Sequence, residues 1–393
     1  MLPCSLVQAW GTSFPSSSLA NISSLFMALK SPSLLLPLSP QPQNPNFSKK
    51  TTNSYSLNIL LLPYKDFTSL LDPSANIAVI MRESLPSLRL AITAMKILPK
   101  VLIVDIFGTE AFEIAQQFGM RKYFFDTCNT RLLALITYFP TIDKEEEYNH
   151  INKQQPLQLP GCEPVRFEDT FEPYCNPNDR MYVVSLRIGV EIPMVDGILV
   201  NTWQDLEPIT LGALRDDEIW RQVIKVPIYP IGPLVKLRRV EQQFPRGNKV
   251  LEWLDMQPRE SVIYLSFGSG GTLSKNQIAE LAWGLELSQQ RFIWGSIVNG
   301  VPMIAWPLFA EQRMNATILM EELGVAIKSQ VLESKGFVGR EEIEKLVRKV
   351  MEEKEGIEMR VRVKELKCRS EKAFSKGGSF YNSLCQVAKD CKA

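Results

Sequence analysis

Two rhythms of apolar and polar residues run through this chain. Lys100–Asp105 is a short β-branched run of buried-strand type, and Phe107-Gly108-Thr109 turns it into a helix over Glu110–Phe118 that Gly119 ends. Tyr123-Phe124-Phe125 starts another strand, Arg131–Tyr138 another helix, and Gly197–Thr202 a further strand. Strand–helix alternation of this kind predicts a parallel sheet covered on both faces. The stretch from Pro227 to about Asn248 is dense in Pro and Gly and reads as an interdomain linker. Beyond it a second α/β unit begins with a strand at Ser261–Ser266 and a turn at Gly268–Thr272. A capping box, Ser274-Lys275-Asn276-Gln277, opens a helix that runs through Leu287. From Arg340 onward the chain is helical, with mixed charges at the spacing of a solvated face.

One junction breaks the alternation. Phe292-Ile293-Trp294 and Pro302–Trp306 both look like strand cores, yet only Gly295–Val301 separates them. Parallel neighbours need a crossover of about a dozen residues or more, usually a helix. A hairpin turning at Asn299-Gly300 would place an antiparallel pair inside a βαβ pattern, with Pro302 removing a ladder donor. The alternative makes Ser296–Gly300 the tail of a helix whose body has been lost, with Gly300 in the left-handed cap. Crossover length argues for the lost crossover.

Residues 1–50 differ from the rest: Ser, Pro, Leu and Asn dominate, and the first acidic residue is Asp66. A plastid-type transit peptide is Ser-rich and acid-poor but carries Arg, and none precedes Arg82. A secretory signal needs a basic start and one clean apolar core, which Met1–Ala20 lacks. The third reading, sequence that does not belong to the folded domain, is preferred. The expected organisation is a disordered non-family segment 1–55, a Rossmann-like domain 56–235, a linker 236–248 and a second domain 249–393 that includes the C-terminal helices.

Composition narrows the chemistry. A chain of 393 residues is long for one core, which fits two domains. A formal charge of +1 gives no electrostatic reason to expect nucleic acid or an anionic membrane. No apolar run approaches the roughly 20 residues that span a bilayer, and a cytoplasmic protein is expected. The seven cysteines include no C-x-x-C pair, so neither a zinc site nor a disulfide framework is expected. His150 is the only histidine. It lies in a polar stretch without periodicity, reads as part of a solvated loop, and is not expected to be catalytic.

The stretch Gly300–Gln312, GVPMIAWPLFAEQ, resembles the rear of the sugar-nucleotide signature of plant UDP-glycosyltransferases. Val104–Phe112, Leu159–Cys162, Ile198–Thr202, Tyr229–Leu234 and Ser266–Ser274 look like the hydroquinone and monolignol branch of that family. The resemblance runs from about Ser56 to the C-terminus, with one gap at residue 294/295. It implies a GT-B fold: two Rossmann-like domains facing across a cleft, here with the second lacking a crossover. It further implies inverting transfer of glucose from UDP-glucose, a co-substrate, to a small phenolic acceptor, with no cofactor, no metal, and a monomer as the working state.

Residue by residue, Asp105 matches the aspartate that orients the family's catalytic histidine, and Phe107 would line the acceptor pocket. Ser269 resembles the residue that approaches the UDP phosphates. Glu311 and Gln312 match the pair that hydrogen-bonds the sugar hydroxyls. Each has a structural alternative: a local cap for Asp105, a core side chain for Phe107, a tight turn around Ser269, a helix N-terminus for Glu311 and Gln312. The sequence departs from the pattern at decisive points. The G-H-x-x-P loop with its histidine base is absent, as are the uracil-stacking tryptophan and the H-C-G-W-N-S element. The expectation is a member of this lineage that is inactive, or a non-catalytic remnant that binds small phenolics.

Overall fold

The computed structural model describes residues 33–36, 58–61, 73–95, 98–234, 249–267, 273–294, 301–331 and 337–391. They divide into two compact units: Lys236–Arg369 lies in one, and Gly11–Val235 joins Ser370–Ala393 in the other. The expected second domain, 249–393, is therefore too long at its C-terminal end. The last segment returns to the first unit because its apolar face has a sheet there to cover.

In the first unit β1 (Ser33–Leu36) pairs in parallel with β2 (Asn58–Leu61). The segment expected to be disordered thus contributes a strand. The main sheet has four parallel strands in sequential order, β3 (Val101–Val104), β4 (Arg121–Asp126), β5 (Gly197–Val200) and β6 (Ile228–Pro230). Side chains alternate across it with a period of two. Val101, Tyr123, Phe125, Leu199 and Tyr229 point to one face, where Val387 and Cys391 of the C-terminal segment cover them. Leu102 and Val104 point to the other, against Leu88 and Ile92 of the helix Pro73–Thr93 and Ile114 of the helix Phe112–Gln117. β6 lies inside the expected Pro/Gly-rich linker; Pro230 is tolerated because β6 is the edge strand.

Gly197 is fixed by close approach. A Cβ there would lie 2.7 Å from Tyr123 Cε1 and 3.0 Å from Tyr229 Cε2. The two rings pack over the glycine, and the Tyr229 hydroxyl donates to Asp390 at the end of the helix Ser379–Asp390. This contact and the buried Val387 tie the chain's last helix to the sheet.

The second unit is built differently. β7 (Val262–Leu265) pairs in parallel with β8 (Arg291–Trp294), and β9 (Met303–Ala305) pairs in parallel with β10 (Ala326–Lys328). These are separate two-stranded sheets, and the described residues show no pairing between β8 and β9. The hairpin alternative is not what forms. The cap assigned to Gly300 and the 294/295 junction fall in residues 295–300, outside the described residues.

Packing between helices Lys275–Ser288 and Arg340–Glu352 holds this unit together. Leu281 and Leu285 of the first meet Ile343 and Val347 of the second in a core with Leu265 and Val338. The capping box is half realised. Ser274 accepts from the Gln277 backbone N–H at 3.2 Å, but the Gln277 side chain turns away from its own helix end. It donates to the Val338 carbonyl at 2.8 Å and accepts the Val338 N–H at 3.0 Å. A buried amide satisfies a buried backbone pair in this way, which removes two costly orphans.

Candidate functional site

Asp105 follows the last residue of β3, at the end of a parallel sheet where α/β folds place functional groups. Its Oδ1 accepts the Phe107 N–H at 3.1 Å, and its carbonyl accepts the Gly108 N–H at 3.0 Å. Burial pushes the carboxyl above the usual carboxylate range, and the N–H groups of Phe107 and Gly108 partly offset that push. The backbone can turn here because Gly108 lacks a side chain; a Cβ would lie 2.7 Å from Val104 Cβ. The turn then tightens into a 3-10 segment, Thr109–Ala111, and no side chain caps it. Asp105 therefore folds its own loop rather than capping the helix behind it. Phe107 is half-buried beside it, so the two first-unit residues share one loop.

That loop carries a feature the sequence did not announce. Glu110 accepts from Arg82 of the helix Pro73–Thr93, with Nη2 to Oε1 at 2.7 Å and Nε to Oε2 at 3.0 Å. Arg187 of the helix Arg180–Glu191 reaches the same Oε1 at 2.9 Å and pairs with Glu191 at 3.1 Å. The Arg82 guanidinium, first among the causes, holds Glu110 below the usual carboxylate range. Glu207 is a second unannounced carboxylate. It is buried, and one of its oxygens accepts both the backbone N–H and the hydroxyl of Thr130, each at 2.8 Å. A sequence signal for Glu207 existed, since Pro208 behind it marks a helix start.

His150 lies in the helix Lys144–Lys153, not in a loop, and is 1% exposed. Asp143 caps that helix by accepting from Glu145 and Glu146, a signal masked by the run of polar residues. The His150 Nδ1 lies 2.7 Å from the Gln155 carbonyl, so it carries the proton and donates. Nε2 lies 2.7 Å from Thr170 Oγ1, whose hydroxyl is also within 3.1 Å of the Arg166 carbonyl. Burial lowers the imidazole pKa, with the Gln155 bond opposing, and keeps the ring neutral. Both nitrogens are thus engaged in holding the segment 154–170 against the helix.

In the second unit Glu311 and Gln312 form the start of the helix Gln312–Thr317. Gln312 Oε1 accepts the Leu308 N–H at 2.7 Å and its own N–H donates to Phe309 O at 3.2 Å, closing a turn in which Ala310 has φ +55°. Glu311 is 0% exposed, and its carbonyl accepts from Asn315 at 3.0 Å. Trp306 in front of it packs edge-on against Phe267, ring centroids 6.0 Å apart. Ser269 falls in residues 268–272, outside the described residues. Among the described residues no cluster of His, Cys, Asp and Glu could hold a metal ion, and no helix is long and apolar enough to cross a membrane.

The solved structures that this chain resembles give its class, the GT-B glycosyltransferases. Comparison with known proteins places it further. The model of the UDP-glucoronosyl and UDP-glucosyl transferase family matches residues 293–364. The anthocyanidin 3-O-glucosyltransferase 5 of Manihot esculenta is 41% identical over 409 residues, covering 84% of this chain and 83% of its own. The hydroquinone glucosyltransferase of Rauvolfia serpentina is 33% identical, covering 86% of each chain. The crystal structure of TcCGT1 in complex with UDP superposes with a TM-score of 0.85 at 35% identity, covering 96% of each chain. The chain belongs to the plant UDP-glycosyltransferases.

Proposed function

We propose that this chain derives from enzymes that transfer glucose from UDP-glucose to a phenolic hydroxyl with inversion, and that the polypeptide of this sequence does not itself perform the transfer. A phenol has a pKa near about 10 and needs a base to attack at neutral pH. The observation that carries the proposal is the state of the sole histidine. Both ring nitrogens of His150 are committed to Gln155 and Thr170 inside the first unit. Asp105 is the family-matched acid, but it has no histidine of this sequence to orient. Removing a general base costs about 10²–10⁴ in rate.

The donor side supports the same reading. Glu311 and Gln312, the residues proposed for the sugar hydroxyls, are closed off and engaged by Leu308 respectively. An internal deletion somewhere in the chain is supported by the match to the Manihot esculenta relative. That match extends over 409 positions, whereas 84% of 393 residues is about 330, which leaves roughly 80 positions with no residue of this chain. Phenolic acceptors are supported by the names of the two relatives, which act on an anthocyanidin and on hydroquinone. The protein is proposed to act in the cytoplasm as a monomer.

Incubation of the purified chain with UDP-glucose and hydroquinone, followed by product chromatography, is expected to yield no glucoside. Turnover would overturn the proposal. Titration with UDP while following the melting temperature separates lost chemistry from lost donor binding, because a ligand bound only to the native state raises it. No shift is expected.

A further inference from the structure

We propose that Glu110 is a positioning residue for the loop that carries Asp105 and Phe107. Its assignment as such rests on the acceptor-side reading of those two residues. Three elements converge on its carboxylate: the loop after β3, the helix Pro73–Thr93 through Arg82, and the helix Arg180–Glu191 through Arg187. Arg82 engages both carboxylate oxygens, a fork that fixes direction as well as distance. Glu191 draws on Arg187 at the same time, so the second guanidinium is itself held in place. The Glu110 side chain is 20% exposed while Arg82 is 55% exposed, so the contact is open to screening by salt and rests on its forked geometry and on the second guanidinium.

The consequence is mechanical. Asp105 turns the front of the loop by accepting the Phe107 N–H, and the 3-10 segment Thr109–Ala111 forms its rear. Glu110 is the charged anchor of that rear segment. Without it the loop keeps its own internal bonds and loses two of its ties to the helices beside it. Asp105 and Phe107 would then lose a fixed direction while the sheet under them remains intact.

Hydrogen exchange of the full chain tests this directly. Glu110→Gln keeps the shape and removes the charge; Arg82→Gln removes the fork and leaves Arg187 in place. Exchange across residues 105–111 is expected to speed up about tenfold in Glu110→Gln and by a smaller factor in Arg82→Gln, with 340–352 unchanged. In the unsubstituted chain, about 1 M KCl is expected to speed the same peptide, and to have no such effect on Glu110→Gln. Unchanged exchange in both variants, or no salt effect on the unsubstituted chain, would overturn the proposal. 4-Nitrophenol, whose phenolate absorbs visible light, tests the acceptor reading separately. A wild-type chain that leaves its spectrum unperturbed sinks that reading, while the exchange data still decide the anchor.

Discussion

The main sheet of the first unit runs through four strands, in addition to the separate pair β1–β2; among the described residues the second unit has only two sheets of two strands each. Both are all-parallel, so the difference lies in the connections. β3 reaches β4 through the helix Phe112–Gln117, β7 reaches β8 through Lys275–Ser288, and β9 reaches β10 through Gln312–Thr317. Each pair so joined is hydrogen-bonded. β8 and β9 are joined by residues 295–302 alone, and they do not pair. A short connection goes with unpaired strands at β8 and β9, as the crossover requirement demands. A helix in the connection permits pairing without ensuring it, since β2 and β3 are joined through the helix Pro73–Thr93 and lie in different sheets.

Breaking the first unit's continuity should give the largest effect. Deleting Ser370–Ala393 removes the buried Val387 and Cys391 from the cluster that packs on Val101, Tyr123, Phe125, Leu199 and Tyr229. Cooperative unfolding of that unit is expected to be lost, with the helices of 275–352 retaining their hydrogen-exchange protection. Retained protection in β4 would refute this. Next in size is Gln277→Ala, which leaves the Val338 N–H and C=O without their partners. About 2–4 kcal/mol of second-unit stability should go, read as a lower urea midpoint. First-unit exchange should be unaffected; equal loss in both units would mean that they unfold together.

A smaller effect concerns pH. The folded pKa of His150 is lowered by burial, so the unfolded chain binds a proton that the folded chain refuses. Stability is complete above the unfolded value of about 6.5 and falls as pH drops below it, by up to about 1.4 kcal/mol per pH unit. His150→Gln should flatten that slope in the first unit; an unchanged slope would assign it elsewhere. Smallest of all is Lys354→Ala. Its pair with Glu358 is 3.5 Å long, with the lysine side chain 91% exposed. A change beyond about 0.5 kcal/mol would contradict the low value of exposed pairs.

Legibility in the sequence followed the range of the interactions. β3, β4, β5 and β7, with the helix after Ser274, were readable because hydrophobic period and capping chemistry are local. The helix around His150 was not, because the apolar pattern is absent from Glu145–Lys153 and only Asp143 marks its start. The return of the last helix to the first sheet was equally hidden. It depends on Tyr229 meeting Asp390, and no local pattern encodes a contact between such distant residues. At the site the pairs Asp105/Phe107 and Glu311/Gln312 were legible as motifs. The Glu110 anchor was not, since Arg82 and Arg187 come from two other helices. The closure of Glu311 also depends on packing around the turn and has no signature in the residue order.

The returning C-terminal helix makes the second unit an insert within the first. Gly11–Val235 and Ser370–Ala393 form one body, interrupted by Lys236–Arg369. On a ribosome adding about 5–20 residues per second, that insert takes on the order of ten seconds to emerge. Throughout this interval the face of the sheet bearing Tyr123, Phe125 and Leu199 waits for the helix that will cover it. The exposed face is then a natural target for chaperones, and the length of the insert sets how long it must be guarded. A shortened second unit shortens the wait.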